Sequence, residues 1–324
     1  MKDIDLFSEV SALIIGDLIM DQFIYGSPDR ISREAPVLIL EETARQINPG
    51  GAGNAAVNIA SLGGNARLAS LVGDDGAWSR LGPELADNDV CTSSTHVDEN
   101  LDSAVKTRIM AGSDQIVRQQ IVRLDSRQKG QIKDAHRQKL YDSVVEIIDE
   151  VDVVLFSDYG LGLLKGEFIS RLVNLCQSHE VPMVADSRYR LLDFAGVTIA
   201  TPNLEEAGRA VESEIGGEEE VVAAGREILS SLQSDFLLLT RGKEGMTFFE
   251  AGGDYEHIPA SNRLDVYDVT GAGDTVAAAV ALGIGAGLEV LKAVKLANAA
   301  AGVAITKEGA APVFKEELKE VVYR

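Results

Sequence analysis

Asp268-Val-Thr-Gly-Ala-Gly-Asp-Thr275 opens a long apolar stretch, residues 276–288, that is rich in Ala and Gly. Gly271, Ala272 and Gly273 carry little or no side chain, so N–H groups at a helix start there stay open to an anion, which the positive end of the helix dipole favours. A carboxylate at Asp274 would be unwelcome in a loop that merely held phosphate. It makes sense as a base that takes the proton from an attacking hydroxyl beside a transferring phosphoryl group. The anion site then offsets the charge that develops on that group. An acid in the first helical turn can also simply stabilise the dipole, and the octet alone leaves both readings open.

Around this octet, short β-branched runs (12–15, 66–71, 151–156, 182–185, 197–200 and 236–239) alternate with amphipathic stretches near 53–62, 132–148, 166–179, 218–232, 273–286 and 290–305. Strands buried on both faces and separated by helices predict an α/β fold, with a mostly parallel central sheet between helical layers. Two segments, about 23–47 and 103–124, hold strand-like runs with no helix between them. They are expected to leave the main sheet and pair as a small antiparallel β lid over a site. No linker or repeat divides residues 1–324, which read as a single domain.

The chain has 324 residues, 45% apolar and 25% charged, and a formal net charge of −21. Such a field disfavours nucleic acid and anionic membrane surfaces as partners. Cys91 and Cys176 have no metal-ligand spacing and read as small core residues in a reducing compartment. His96, His136, His179 and His257 show no metal spacing either and read as surface residues. The N-terminus carries acids where a signal peptide needs bases, and 276–288 is too short to span a bilayer. A cytoplasmic protein is expected. Gly51-Ala-Gly-Asn-Ala-Ala56 lacks the third glycine of a dinucleotide fingerprint, and no GxxxxGK[ST] loop is present.

Further motifs lie on both sides of the octet. Gly16-Asp17, with Asp21 beyond it, follows the first strand. Asn48-Pro-Gly-Gly-Ala-Gly-Asn54 leads into the helical Ala55-Ala-Val-Asn-Ile-Ala-Ser-Leu-Gly63. Glycines there allow close approach to the backbone, and a carboxylate and an amide can read hydroxyl groups. Mere close packing of a turn before a helix is the competing reading. Thr201-Pro-Asn-Leu-Glu-Glu206 has the look of a helix start, and Thr240-Arg-Gly-Lys-Glu-Gly245 follows a strand.

With its context, the octet resembles the second signature of the PfkB (ribokinase-like) carbohydrate kinases, and the 48–63 segment resembles the first. That resemblance extends over nearly the whole chain. It implies a ribokinase-like three-layer fold and a Mg²⁺- and ATP-dependent phosphorylation of a sugar hydroxyl. In that reading Asp274 is the general base and the Gly271, Ala272 and Gly273 amides form the anion hole. Asp17, Gly50, Gly51 and Asn54 would hold the sugar. Asn203 and Glu206 would help hold Mg²⁺ through water, and Thr240, Gly242, Gly245 and Asn298 would hold the nucleotide. The resemblance also implies a homodimer joined through the lid, and it leaves a monovalent cation open.

Within the family, the likeness is strongest to kinases that convert D-glycero-β-D-manno-heptose 7-phosphate to the 1,7-bisphosphate. It rests on Arg30-Ile-Ser-Arg-Glu-Ala-Pro-Val37, Gln119-Gln-Ile-Val-Arg-Leu-Asp125, Ser157-Asp-Tyr-Gly160, Val266-Tyr-Asp-Val-Thr270 and Leu296-Ala-Asn-Ala-Ala-Ala-Gly302. Lys106, Arg108, Arg188 and Arg190 are candidate holders of a substrate phosphate. Ser32-Arg-Glu-Ala-Pro36 and Asp186-Ser-Arg188 depart from the Ser-Pro-Glu-Ala-Pro and Asp-Pro-Lys usual there, and the 106–119 span is longer. Ribose, fructose or a nucleoside is the alternative substrate, and a sugar-binding sensor without catalysis the alternative role. No room is expected for the nucleotidyltransferase domain that often accompanies such kinases.

Overall fold

The computed structural model describes residues 3–113, 116–128, 130–261 and 266–323. In chain order the strands are β1 Ser11–Gly16, β2 Leu18–Ile31, β3 Leu38–Gly51, β4 Asn65–Ala69, β5 Leu71–Gly73, β6 His96–Asp98, β7 Ala104–Ser113, β8 Ile116–Ser126, β9 Val153–Asp158, β10 Met183–Ser187, β11 Ile199–Ala200, β12 Phe236–Thr240, β13 Met246–Glu250 and β14 Tyr255–Ile258. The helices are α1 Ala52–Ser61, α2 Trp78–Asp87, α3 Asp134–Ile147, α4 Glu167–Ser178, α5 Leu204–Ala210, α6 Glu218–Leu232, α7 Ala272–Gly285, α8 Val290–Ala304 and α9 Lys315–Val322.

The central sheet has eight strands in the order β14-β13-β12-β11-β10-β9-β1-β4. From β12 to β4 every pairing is parallel, and β13 and β14 add an antiparallel edge. The two-residue side-chain period of a strand sorts the core. Ala12, Ile14, Val153 and Leu155 join one buried cluster with α1, α7 and α8, while Leu13, Ile15, Val154 and Phe156 join another with α3, α4 and α6. Buried on both faces, such strands read as continuous apolar runs, which made them legible. In α7, every residue from Asp274 to Gly283 is buried. A helix that is apolar all round belongs inside, and small side chains let its neighbours close in. Among the described residues no helix is long and apolar enough to cross a membrane.

β2 leaves the sheet directly after β1, and β3 returns into α1, so the chain makes its lid before the first helix. The lid is a four-stranded sheet, β3-β2-β7-β8. Each hairpin is antiparallel, as expected, but the two hairpins meet through a parallel β2–β7 pairing that sets Asp21 beside Lys106. The lid also begins earlier in its first segment than the expected 23–47. Asp114 and Gln115, inside the expected second segment, lie outside the described residues. Other expectations change too. The strand expected at 197–200 shortens to Ile199–Ala200, and β13, β14, α2 and α9 had no forecast. Cys91 is exposed whereas Cys176 is buried. His96 and His136 are half-buried: His96 Nε2 lies 2.9 Å from Ser143 Oγ, and His136 pairs with the buried Asp98.

Candidate active site

Parallel strands all end on one side of the sheet, where open α/β folds bind ligands. Here the ends of β9 to β12 and the start of α7 border a polar cavity of about 390 Å³. The lid forms its far wall with Asp21, Gly50, Gly51, Lys106, Arg108 and Arg123. A second, more apolar cavity of about 320 Å³ lies between the β12–β13 turn and the α7 and α8 helices. Asn203, Thr240, Val269 and Gly273 line both. Gly273 is thus a shared wall, and no protein atom outside its immediate surroundings lies within 4 Å of where a Cβ would stand on it.

Asp274 sits in the first turn of α7, and only 5% of its surface is exposed. Both carboxylate oxygens take donors: Asn54 Nδ2 donates to Oδ2 at 2.6 Å and Tyr159 Oη donates to Oδ1 at 2.9 Å. Asn54 is held in turn, because Asn58 Nδ2 donates to its carbonyl at 3.0 Å and Thr275 Oγ1 donates to Asn58 Oδ1 at 2.9 Å. Helices α1 and α7 are therefore pinned together beside the carboxylate. Burial pushes the Asp274 carboxyl up to about 6; the Asn54 and Tyr159 donors and the Lys106 charge pull it down, and Asp21 pushes it further up. An acid tuned near neutrality can take a proton at physiological pH and release it again.

The amides of the octet are not equivalent. Ala272 N–H donates to the Val269 carbonyl at 3.3 Å, whereas Gly271 and Gly273 N–H have no backbone partner among the described residues. The expected three-amide hole therefore narrows to two open donors. Gly271 adopts a left-handed φ of 78°, and a Cβ on it would come within 2.9 Å of Asn54 Nδ2.

Asp17 is not where the sequence suggested. It is not among the residues that line the cavity, and it accepts the N–H groups of Tyr159 and Leu161 at 3.0 Å each. Burial raises its carboxyl to about 6 despite those donors. Asp21, four residues further on and inside β2, takes the cavity position and pairs with Arg108. Gly50 makes room for it, since a Cβ there would come 2.3 Å from Asp21 Oδ2. Asn203 and Glu206 do line the polar cavity, but each caps the other: Glu206 N–H donates to Asn203 Oδ1 and Asn203 N–H to Glu206 Oε2, both at 2.9 Å. Arg190 lies off the cavity wall and reaches Asp158, while Arg188 lines the cavity. Thr240, Gly242, Gly245 and Asn298 all line the apolar cavity.

Tyr159, Asp186 and Arg123 also line the cavity; each lies in a segment weighed for the family likeness, but none had been given a role. Asp186 and Tyr159 lie at the ends of β10 and β9, and their position at strand C-termini was the available signal. Arg123 lies on β8, two residues from its partner Asp125, and nothing in the sequence marks its direction. Burial drives Asp186 well above the usual carboxylate range, helped by Glu206, Asp274 and Asp158 and opposed by Arg188.

Comparison with known proteins agrees with this geometry. The pfkB family carbohydrate kinase model matches residues 11–317. The bifunctional protein HldE of Geobacter sulfurreducens is 35% identical over 95% of this chain, and HldE of Pseudomonas paraeruginosa is 36% identical over 98%. The chain spans 62% and 65% of the length of those two relatives. Among solved structures, Arabidopsis thaliana ribokinase complexed with ribose and ATP has a TM-score of 0.75 at 17% identity, covering 96% of this chain and 98% of that one. Escherichia coli phosphofructokinase-2 in complex with fructose-6-phosphate gives 0.74 at 18% identity, with the same two coverages of 96% and 98%. At that identity these structures speak for the ribokinase-like fold. The chain belongs to the pfkB family of carbohydrate kinases and is an ATP-dependent sugar kinase.

Proposed function

We propose that the substrate is a sugar phosphate, D-glycero-β-D-manno-heptose 7-phosphate, converted to the 1,7-bisphosphate. The carrying observation is that one cavity holds Asp274 on its helical side and Lys106, Arg108 and Arg123 on its lid side, with Arg188 between strands and solvent. An elongated substrate can place a hydroxyl at the carboxylate and a phosphate among these cations, against the field of a chain of net charge −21. The heptose assignment leans further on the HldE relatives.

In the proposed reaction Asp274 takes the proton of the attacking hydroxyl as its oxygen bonds to the γ-phosphorus and the bond to the β-phosphate oxygen breaks, leaving ADP. Gly271 and Gly273 N–H donate to the transferring group, and Asp21, Asn54 and the Gly50–Gly51 backbone orient the sugar. The apolar cavity takes the adenine. Glu206 and Asp186 fit a divalent cation that arrives on the triphosphate. Their crowded carboxylates carry unfavourable mutual repulsion, and among the described residues no three ligand side chains converge closely enough to hold a metal directly. An ion keeping several water and phosphate oxygens matches that pattern, and Mg²⁺ would supply charge neutralisation of the triphosphate. The supply of ATP and sugar phosphate places the reaction in the cytoplasm.

ATP consumption against a panel of sugars and sugar phosphates tests the substrate. Heptose 7-phosphate is expected to give the highest kcat/KM, and preference for an unphosphorylated pentose would end this reading. The same assay with and without potassium decides the monovalent-cation requirement. A sensor that binds sugar without making ADP is disfavoured by the intact base and glycines.

The lid region exposes Ile31, Val37, Leu38, Ile121, Val122 and Leu124, with Ile31 at 68% and Leu124 at 58%. A second copy of the chain is the proposed cover, since several exposed apolar side chains on one small sheet suit an interface. Sedimentation should give a dimer for the wild type and a monomer for Leu124→Glu. A wild-type monomer would refute the interface.

A further inference from the structure

The segment after β9 is clamped on both sides. Asp17 Oδ2 accepts Tyr159 and Leu161 N–H, and Asp158 Oδ1 accepts Gly160 N–H at 3.0 Å. Asp158 is itself fixed by the Ser187 hydroxyl at 2.7 Å and by Arg190 at 3.3 Å. Two buried carboxylates thus accept three main-chain N–H groups of one short loop, an expensive use of buried charge unless the loop must hold a defined shape. What the loop delivers is the phenol of Tyr159, half-buried, with Oη 2.9 Å from Asp274 Oδ1 and the ring 5.2 Å from Lys106 Nζ.

We propose that Tyr159 is a positioning residue for the Asp274 base, and that Asp17 serves the reaction only through it, by fixing the Tyr159 main chain. With Asn54 on Oδ2 and Tyr159 on Oδ1, the carboxylate plane is fixed, and each oxygen keeps one lone-pair direction for an incoming hydroxyl. A carboxylate free to rotate about its last torsion would lose that aim. The inference rests on the kinase reading of Asp274 but not on the identity of the sugar.

The charged groups around Asp274 are Lys106 on β7, Asp21 on β2 and Asp186 on β10. All are retained in Tyr159→Phe, which removes only the donor. The test uses the full chain, Mg²⁺, ATP and whichever sugar or sugar phosphate the wild type turns over fastest, so a wrong substrate class leaves it intact. Tyr159→Phe should lower kcat by about tenfold, as expected for one charge-assisted hydrogen bond, with KM for ATP little changed. The acid limb of its kcat–pH profile should move upward, because a donor favouring the ionised carboxyl is gone. Asp17→Ala should lower kcat in the same way, and adding it to Tyr159→Phe should cost little more, because the two act in series. Wild-type kcat and an unmoved limb in Tyr159→Phe would overturn the proposal, as would full additivity of the pair. If Asp17→Ala does not fold, Tyr159→Phe alone decides the role of the phenol, and Leu161→Pro, which removes one N–H from Asp17, replaces it in the pair. Should Asp274→Asn keep full turnover, the kinase reading fails instead, a result separate from a silent Tyr159→Phe.

Discussion

Asp274→Asn is expected to lower kcat at least about a hundredfold, the usual worth of a positioned general base, while ATP still binds and the fold persists. Asn keeps the volume and one acceptor, for Asn54 Nδ2, while its NH₂ can donate to the Tyr159 hydroxyl oxygen, so loss of the proton acceptor is isolated from loss of shape. In the wild type, kcat should fall as pH drops through about 6, because the buried carboxyl is protonated there and can no longer accept. That limb should be missing from the residual activity of the variant. Near-normal turnover would remove Asp274 from the mechanism.

The same substitution makes a second, opposite forecast for stability. Burial raises Asp274 from 3.8 to about 6 in the folded chain. Above pH 6 the native state therefore holds a charge that the unfolded chain carries more easily, at a cost of about 3 kcal/mol. That cost is absent below pH 4 and grows as pH rises through the interval between the two values. Asp274→Asn should thus melt a few degrees above the wild type at pH 8, and the gap should close toward pH 4. The amide must turn its NH₂ away from Asn54 Nδ2, which reduces the gain. A more stable but inactive variant is what a site maintained for function, not for stability, produces.

Lys106→Met should act on substrate choice. The ammonium projects from β7 into the polar cavity, and burial lowers its pKa, with Asp21 opposing. A buried charge-assisted contact to phosphate contributes about 2–3 kcal/mol, so KM for the sugar phosphate should rise by roughly 30- to 150-fold. Turnover of the corresponding unphosphorylated sugar, however slow, should change much less. Because Lys106 also favours the ionised form of Asp274, the acid limb should shift upward in the same variant. Equal losses for phosphorylated and unphosphorylated sugars would show that the lid cations do not read the phosphate.

How far the sequence revealed this arrangement depended on how local each signal was. The parallel strands were legible because burial on both faces leaves an unbroken apolar run, as in Val153–Asp158 before its final polar residues. The octet was legible only together with the 48–63 segment, because glycines and an acid at a helix mouth also suit a first turn that merely stabilises the dipole. Asp17 and Asp21 were not separable by spacing. Both follow β1, and the distinction comes from β2 leaving the sheet at Leu18, which turns Asp17 toward the β9 loop and Asp21 toward the cavity. Tyr159 and Asp186 needed the third dimension, since their roles exist only once β9, β10 and α7 are side by side. The parallel meeting of the two lid hairpins was likewise invisible, because strand alternation says which face is buried but not which neighbour runs beside it.

Gly273 separates the two cavities by the thickness of one residue, and its bare Cα faces space that no protein atom fills. An alanine there would meet no neighbour and would suit a helix better than glycine does. Its methyl would instead protrude between the two cavities that we propose for sugar and nucleotide. On the proposed reading, the bare position leaves the passage between the two ligands open, at the cost of a slightly weaker first turn in α7.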